Sequence, residues 1–285
     1  MKHEQAQVLA TEPRQWGRDD FKFPPVKNRR FLVRLDIHKQ EFEERGNSLV
    51  DAIQQKGHFE QRGMKAQWDF RLELQFQSKA PKPKVLLTHI PVVTRNATER
   101  APKTVVELYP PIEGKSAQLI IEQDRTDQDA SRFEDLQHEI HAWLPFVMEH
   151  FSVSKVGGFV LEYRNVIERE RYPLFWEGER TLQLDRLLWL FKNNSGPGNF
   201  VTPFSVEFNT ASPPPNPGNV RFHMETVQNG KQEFAMQVAL AYNSLAREDK
   251  HCADGLFEEL IGAHGLLFEN FVRQFTPEAL EAFTQ

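Results

Sequence analysis

Runs in which apolar and polar residues alternate one by one recur along this chain, and they restrict its fold more than any other feature. Phe31, Val33, Leu35 and Ile37 alternate with Leu32, Arg34, Asp36 and His38, and Phe70, Leu72, Leu74 and Phe76 alternate with Asp69, Arg71, Glu73 and Gln75. A side-chain period of two puts each set on its own face of a strand, one buried and one solvated. The same reading predicts strands over Lys84 to Thr94, Thr104 to Tyr109, Ala117 to Gln123 and Lys155 to Ile167. Pro91 cannot donate to a ladder, so it marks its strand as an edge or an interrupted one. Three further strands carry Phe204, Val206 and Phe208, then Phe222, Met224 and Thr226, then Phe234, Met236, Val238, Leu240 and Tyr242. Asn229-Gly230 between the last two suits a type I′ hairpin.

Helical spacing fills the intervals. Phe42, Leu49 and Ile53 predict a helix ending near Gly57, and Phe133, Leu136, Ile140, Trp143, Val147 and Phe151 predict a strongly amphipathic one that Pro145 kinks or breaks. Leu182 to Phe191 reads as a short helix, Lys250 to Gln274 as a long one, and Thr276-Pro277 as the N-cap and first residue of a last short helix. Strands covered by helices on one side define an α+β protein with antiparallel or mixed sheets and a long C-terminal helix. Two β-α-β passages, 31–76 and 117–167, suggest two similar lobes without a residue repeat between them. The expected division is a flexible N-terminal arm over 1–20, an N-terminal α+β lobe over 21–110 and a C-terminal α+β lobe over 111–285.

Composition narrows the function classes. Phenylalanine contributes 23 residues against 4 Tyr and 5 Trp, and most of them fall at strand or helix spacing, so they fill a core; the polar residues set among those rings become the informative ones. A formal charge of −5 provides no electrostatic footprint for a polyanion, and the cluster Lys27, Arg29, Arg30 and Arg34 reads as a solvated face, so nucleic acid is not the favoured partner. The single Cys252, placed beside Leu256 on the last helix, reads as a core residue; it supports neither an internal disulfide nor a thiolate zinc site and points to a reducing, cytoplasmic compartment. No signal-peptide core and no run of 18 apolar residues occurs, so a membrane is not expected. Gly157-Gly158 and Gly196-Pro197-Gly198 lack the spacing of a phosphate loop and no Gly-x-Ser-x-Gly elbow is present, so neither a cofactor nor a nucleophile is implied.

Two groups of residues remain as candidates. His264 falls among Phe257, Ile261, Phe268 and Phe271 on the apolar face of the last helix, while Tyr163 and Asn165 share a strand face with Leu161 and Ile167. Polar side chains on buried faces need partners, which makes the three either a structural network or the lining of a ligand site. Glu134, His138 and His141 fall along one side of a helix with the residue types of a metal site, although the apolar stripe of that helix lies away from them and the zinc-protease pattern is absent.

The strand Phe159 to Ile167 and the terminal stretch from Ala263-His264 through Phe271, Thr276 and Glu278 to Phe283 resemble the two signature regions of a sporadically distributed bacterial family of uncharacterised proteins. Tyr163, Asn165 and Ile167 match the first region, and His264, Phe271 and Thr276 the second; the resemblance covers mainly 115–285. It implies a bacterial, cytoplasmic α+β protein and brings no activity, cofactor or catalytic residue with it. The expected function is binding or protein interaction, with a homodimer through exposed strand edges or the last helix. The alternative is an enzyme or small-ligand sensor with its site at Tyr163, Asn165 and His264.

Overall fold

A computed structural model describes residues 15–17, 20–21, 25–56, 67–77, 84–95, 102–111, 116–124, 132–153, 156–192, 199–201, 205–212, 218–228, 234–245 and 253–284. Most of the N-terminal arm, the Asn229-Gly230 turn and Cys252 lie outside these residues.

Among the described residues twelve strands form two sheets, both antiparallel throughout. The strands are β1 (Val26–Leu35), β2 (Gln67–Gln77), β3 (Lys84–Arg95), β4 (Lys103–Tyr109), β5 (Ala117–Asp124), β6 (Val156–Glu168), β7 (Trp176–Glu177), β8 (Thr181–Gln183), β9 (Asn199–Val201), β10 (Ser205–Ser212), β11 (Gly218–Gln228) and β12 (Phe234–Ser244). The large sheet has nine strands in the order β10-β11-β12-β6-β1-β5-β4-β3-β2, and β7-β8-β9 makes a small one. The helices are α1 (Lys39–Lys56), α2 (Phe133–His150), α3 (Leu184–Leu187), α4 (Trp189–Lys192), α5 (Ala253–Gln274) and α6 (Pro277–Ala282). Helices α2 and α5 lie on one face of the large sheet, α2 over β5 and β1 and α5 over β12 and β6.

Three local expectations are corrected. Helix α2 continues through Pro145 to His150, so proline does not break it early; the carbonyl that Pro145 leaves unbonded belongs to the exposed His141. Pro91 lies inside the sheet, not at its edge, but β4 pairs with β3 only from Val92 onward, so proline sits where one ladder is absent. The segment from Leu182 to Phe191 is not one helix. Strand β8 takes up its beginning, and Leu188 breaks the remainder into two short turns by bridging to Phe275.

Both β-α-β passages are present, as β1-α1-β2 and β5-α2-β6, yet the fold repeats along different boundaries. In one half β1 is followed by a meander whose last strand, β5, returns to pair with β1 and leads towards α2. In the other half β6 is followed by a meander whose last strand, β12, returns to pair with β6 and leads towards α5. The halves join where β1 and β6 pair antiparallel, so an approximate two-fold axis passes through that pair. Sequence traces of the repeat survive: Leu136, Glu139, Glu149 and Phe151 on and just beyond α2 have the spacing of Leu256, Glu259, Glu269 and Phe271 on α5, and Arg34 and Ile37 have that of Arg164 and Ile167. Strands β4 and β5, on either side of position 110–111, pair directly.

The core fills the space between the sheet and the two long helices, and leucine and phenylalanine supply most of it. Phe31, Phe151, Phe175, Phe275 and Phe283 are among its largest fully buried side chains. Phe42 of α1 stacks on Phe151 at 5.6 Å, and the N-terminal segment is tied down where Phe21 meets Phe268 and Phe271 of α5 at 6.0 and 5.9 Å. Thr276 caps α6, its hydroxyl accepting from the Ala279 amide at 3.2 Å. Among the described residues no helix is long and apolar enough to cross a membrane.

Candidate functional site

Alternation along β1 and β6 directs Phe31, Val33 and Leu35 together with Phe159, Leu161, Tyr163, Asn165 and Ile167 toward the helices, and all of these are buried. Polarity is confined to one end of this inward face. Tyr163 stands opposite Arg29 of β1, Arg29 opposite Gln123 of β5, and Gln123 opposite Thr104 of β4. All four side chains are buried, forming a polar row across four neighbouring strands. At the other end the corresponding β1–β6 pair is Val33 with Phe159.

Each member of the row has an anchor. The Tyr163 hydroxyl lies 2.8 Å from Nδ1 of His264 on α5. The phenol donates when the imidazole carries its proton on Nε2, and accepts when the proton is on Nδ1. The imidazole stacks on Phe133, the first residue of α2, with ring centroids 3.9 Å apart, so it is clasped between two helices and the sheet. Arg29 donates through a guanidinium nitrogen to the carbonyl of Arg132, the N-cap of α2, at 2.9 Å. The Thr104 hydroxyl donates to the Pro102 carbonyl at 3.4 Å and accepts from the Gln123 amide at 3.5 Å.

Asn165 stands one inward position beyond Tyr163. Its amide nitrogen donates 3.1 Å to the Val238 carbonyl on β12, while its Oδ1 is buried without a hydrogen-bond partner among the described residues. The same holds for Oε1 of Gln123. A carbonyl can only accept, so the Val238 oxygen fixes which end of the Asn165 amide faces it. The Asn165 oxygen is therefore held as an open acceptor.

Of the residues singled out from the sequence, Tyr163 and His264 are brought into contact, and Asn165 lies beside them with its own partner on β12. His264 is half-buried at the edge of the apolar face of α5, not at its centre. That face runs through Leu256, Leu260, Ala263 and Leu267, and Ile261 on the outer side is 53% exposed. Glu134, His138 and His141 are exposed on α2, with the His141 ring flat against Phe257 at 3.6 Å. Among the described residues no three His, Cys, Asp or Glu side chains come together as a metal site would require. Gln123 and Thr104 were not singled out from the sequence, and Arg29, read there as part of a solvated basic face, is buried. Extending the alternation of Phe31 and Val33 back by two residues assigns Arg29 to the inward face, apart from Arg30 and Arg34.

No family model matches the chain, and no curated protein matches it. The solved structure of DynU16, a protein in the dynemicin biosynthetic locus, aligns over 90% of this chain and 97% of its own at 10% identity, with a TM-score of 0.22. A score that low carries no argument about shared fold or function.

Proposed function

We propose that the chain is a binding protein for a small ligand, held at the polar end of the inward sheet face by Tyr163, Asn165 and His264. The observation that carries this is the contrast between the two halves. Counterparts of these residues on β1 and α2, in the registers set by Arg34 with Arg164 and Glu139 with Glu259, are Val33, Leu35 and Leu144, each 0% exposed. The repeated architecture thus builds the same core with three aliphatic side chains, and has no structural need of a phenol, an amide and an imidazole there. Buried polar groups that a fold does not require are the usual mark of a site.

Binding is favoured over catalysis because the cluster offers an open acceptor and aromatic surface, and among the described residues no three His, Cys, Asp or Glu side chains come together beside it. The matching positions Tyr163, Asn165 and His264 in the signature regions support the same placement and membership of the bacterial family that they resemble. Screening a diverse fragment library by ligand-observed NMR tests the reading. Fragments are expected to bind the native protein and to lose binding in Tyr163→Val and His264→Leu; a library without one such fragment overturns it.

Self-association is a second reading, favoured by the exposure of Trp189 and Leu190 on α4 and Ile261 on α5, at 41%, 49% and 53%. Light scattering across a wide concentration range tests it, and a strict monomer throughout rejects it.

A further inference from the structure

The two edges of the large sheet are unlike. One edge, β2, carries Asp69, Arg71 and Glu73 within its sequence. The other, β10, has Glu207 as its one charged residue. It pairs with β11 residue for residue, from Ser205 opposite Glu225 to Ser212 opposite Gly218. Lysine, proline, bulges and covering elements keep a strand edge from pairing again. Strand β10 has no lysine, proline or bulge, and among the described residues no strand pairs with its free side.

The inward face is also unfinished at this edge. Val206 and Phe208 stand opposite the buried Met224 and Phe222, yet both remain half-buried only. The Phe208 ring lies flat on Phe222 with centroids 4.7 Å apart. Helix α5 lies over β12 and β6, two and three strands inward of β10.

We infer that β10 pairs antiparallel with β10 of a second copy of this chain, about a two-fold axis at Phe208. This rests on the self-association reading above and places the contact on a surface separate from α4 and α5. Self-complementarity selects both the second copy and the register. A two-fold strand pair sets residues of the same face opposite each other, so its axis falls on a residue. With the axis at Phe208, Ser205 meets Ala211, Val206 meets Thr210 and Glu207 meets Asn209, and no like charges face each other. An axis at Glu207 opposes two carboxylates, and one at Asn209 sets Ser205 against Pro213, which cannot donate. At Phe208 the ring meets its own copy beside Phe222, which extends the aromatic stack and covers the half-buried face.

Light scattering of the full chain at rising concentration reads the mass. Twice the mass of one chain is expected for the native protein and for Ile261→Lys. A single-chain mass is expected for Phe208→Lys, where two ammonium groups would face each other at the axis. Cross-linking supplies a second readout that does not depend on that variant folding. With Cys252→Ser as background, mild oxidation is expected to join two chains through Phe208→Cys and not through Glu207→Cys, whose Cα atoms would stand beyond the roughly 7 Å reach of a disulfide. Circular dichroism checks that each variant is folded. A dimer that survives in folded Phe208→Lys, a dimer lost in Ile261→Lys, no cross-link at Phe208→Cys, or an equal one at Glu207→Cys overturns this pairing and leaves self-association standing. A single-chain mass for the native protein at every concentration overturns both.

Discussion

Tyr163 on β6 and Val33 on β1 occupy corresponding positions in the two halves of the sheet. Each lies two residues beyond the central Phe31–Leu161 pair along its strand, and each stands opposite a leucine, Leu240 for Tyr163 and Leu119 for Val33. The environments differ in what lies next. Val33 continues into Leu35, while Tyr163 continues into Asn165 and reaches up to His264. One scaffold has thus been built twice, and the positions that carry Tyr163, Asn165 and His264 in one copy are aliphatic in the other.

The bond between Tyr163 and His264 should be measurable as a coupling. In a double-mutant cycle of Tyr163→Phe and His264→Leu, followed by chemical denaturation, the interaction energy is expected to be about 1 kcal/mol, the usual net value of a hydrogen bond in a protein. Strict additivity would show that the 2.8 Å contact contributes nothing to stability.

A second buried phenol has a different role. The Tyr242 hydroxyl donates to Glu259 at 2.9 Å, joining β12 to α5 deep in the core. Tyr242→Phe removes that donor from a buried carboxylate and is expected to cost about 1–3 kcal/mol, whereas Glu259→Gln keeps an acceptor in place and should cost less. The reverse order in urea midpoints would contradict this assignment.

Close packing at the end of β11 is expected to be unforgiving. A Cβ on Gly218 would come within 2.5 Å of the Asn243 carbonyl oxygen and 2.8 Å of the Tyr242 ring, and backbone cannot yield as a flexible side chain does. Gly218→Ala should destabilise by about 1–3 kcal/mol. An unchanged thermal midpoint would show that the β11–β12 pair shifts freely.

The pH response should include a small acid-labile component from α6. Hydrogen bonding from Arg186 holds the Glu278 carboxyl below its ordinary value of 4.5, against the opposing effect of desolvation. A carboxylate whose folded value is depressed stabilises the protein above its unfolded value, and that contribution is lost as pH falls through the folded value. Both partners are well exposed, which limits the contribution to less than about 1 kcal/mol. Glu278→Gln should therefore reduce stability slightly near neutrality and flatten its decline below pH 4.5. A decline as steep as in the native protein would assign the acid sensitivity elsewhere.

Strands and long helices were legible because their periodicities are strong: the alternation of Phe70 to Phe76 and the stripe from Phe133 to Phe151 each specify an element. Helix α2 outlasting Pro145 was not, since it depends on the exposure of His141, which only the packed helix defines. Legibility failed again where short elements owe their form to distant partners, as at Leu188, whose bridge to Phe275 splits the predicted helix. The sheet order that reveals the repeat depends on pairing between strands far apart in the chain, and the surviving matches between α2 and α5 are too few to indicate it alone. At the site, Tyr163, Asn165 and His264 could be recognised as polar residues on apolar faces. Arg29 was legible only by carrying the alternation of Phe31 and Val33 back two residues, because its neighbours Lys27, Arg30 and Arg34 made it look like part of a solvated run.

The central claim is that Tyr163, Asn165 and His264 serve binding and not the fold. Replacing all three by their counterparts, as Tyr163→Val, Asn165→Leu and His264→Leu in one chain, tests it when unfolding and fragment binding are measured on the same sample. A denaturation midpoint at or above that of the native protein, with binding abolished, is the expected result, because the replacement removes an unsatisfied buried acceptor worth about 1–3 kcal/mol. Loss of more than about 3 kcal/mol of stability would identify the cluster as a structural network, and retained binding would place the site elsewhere.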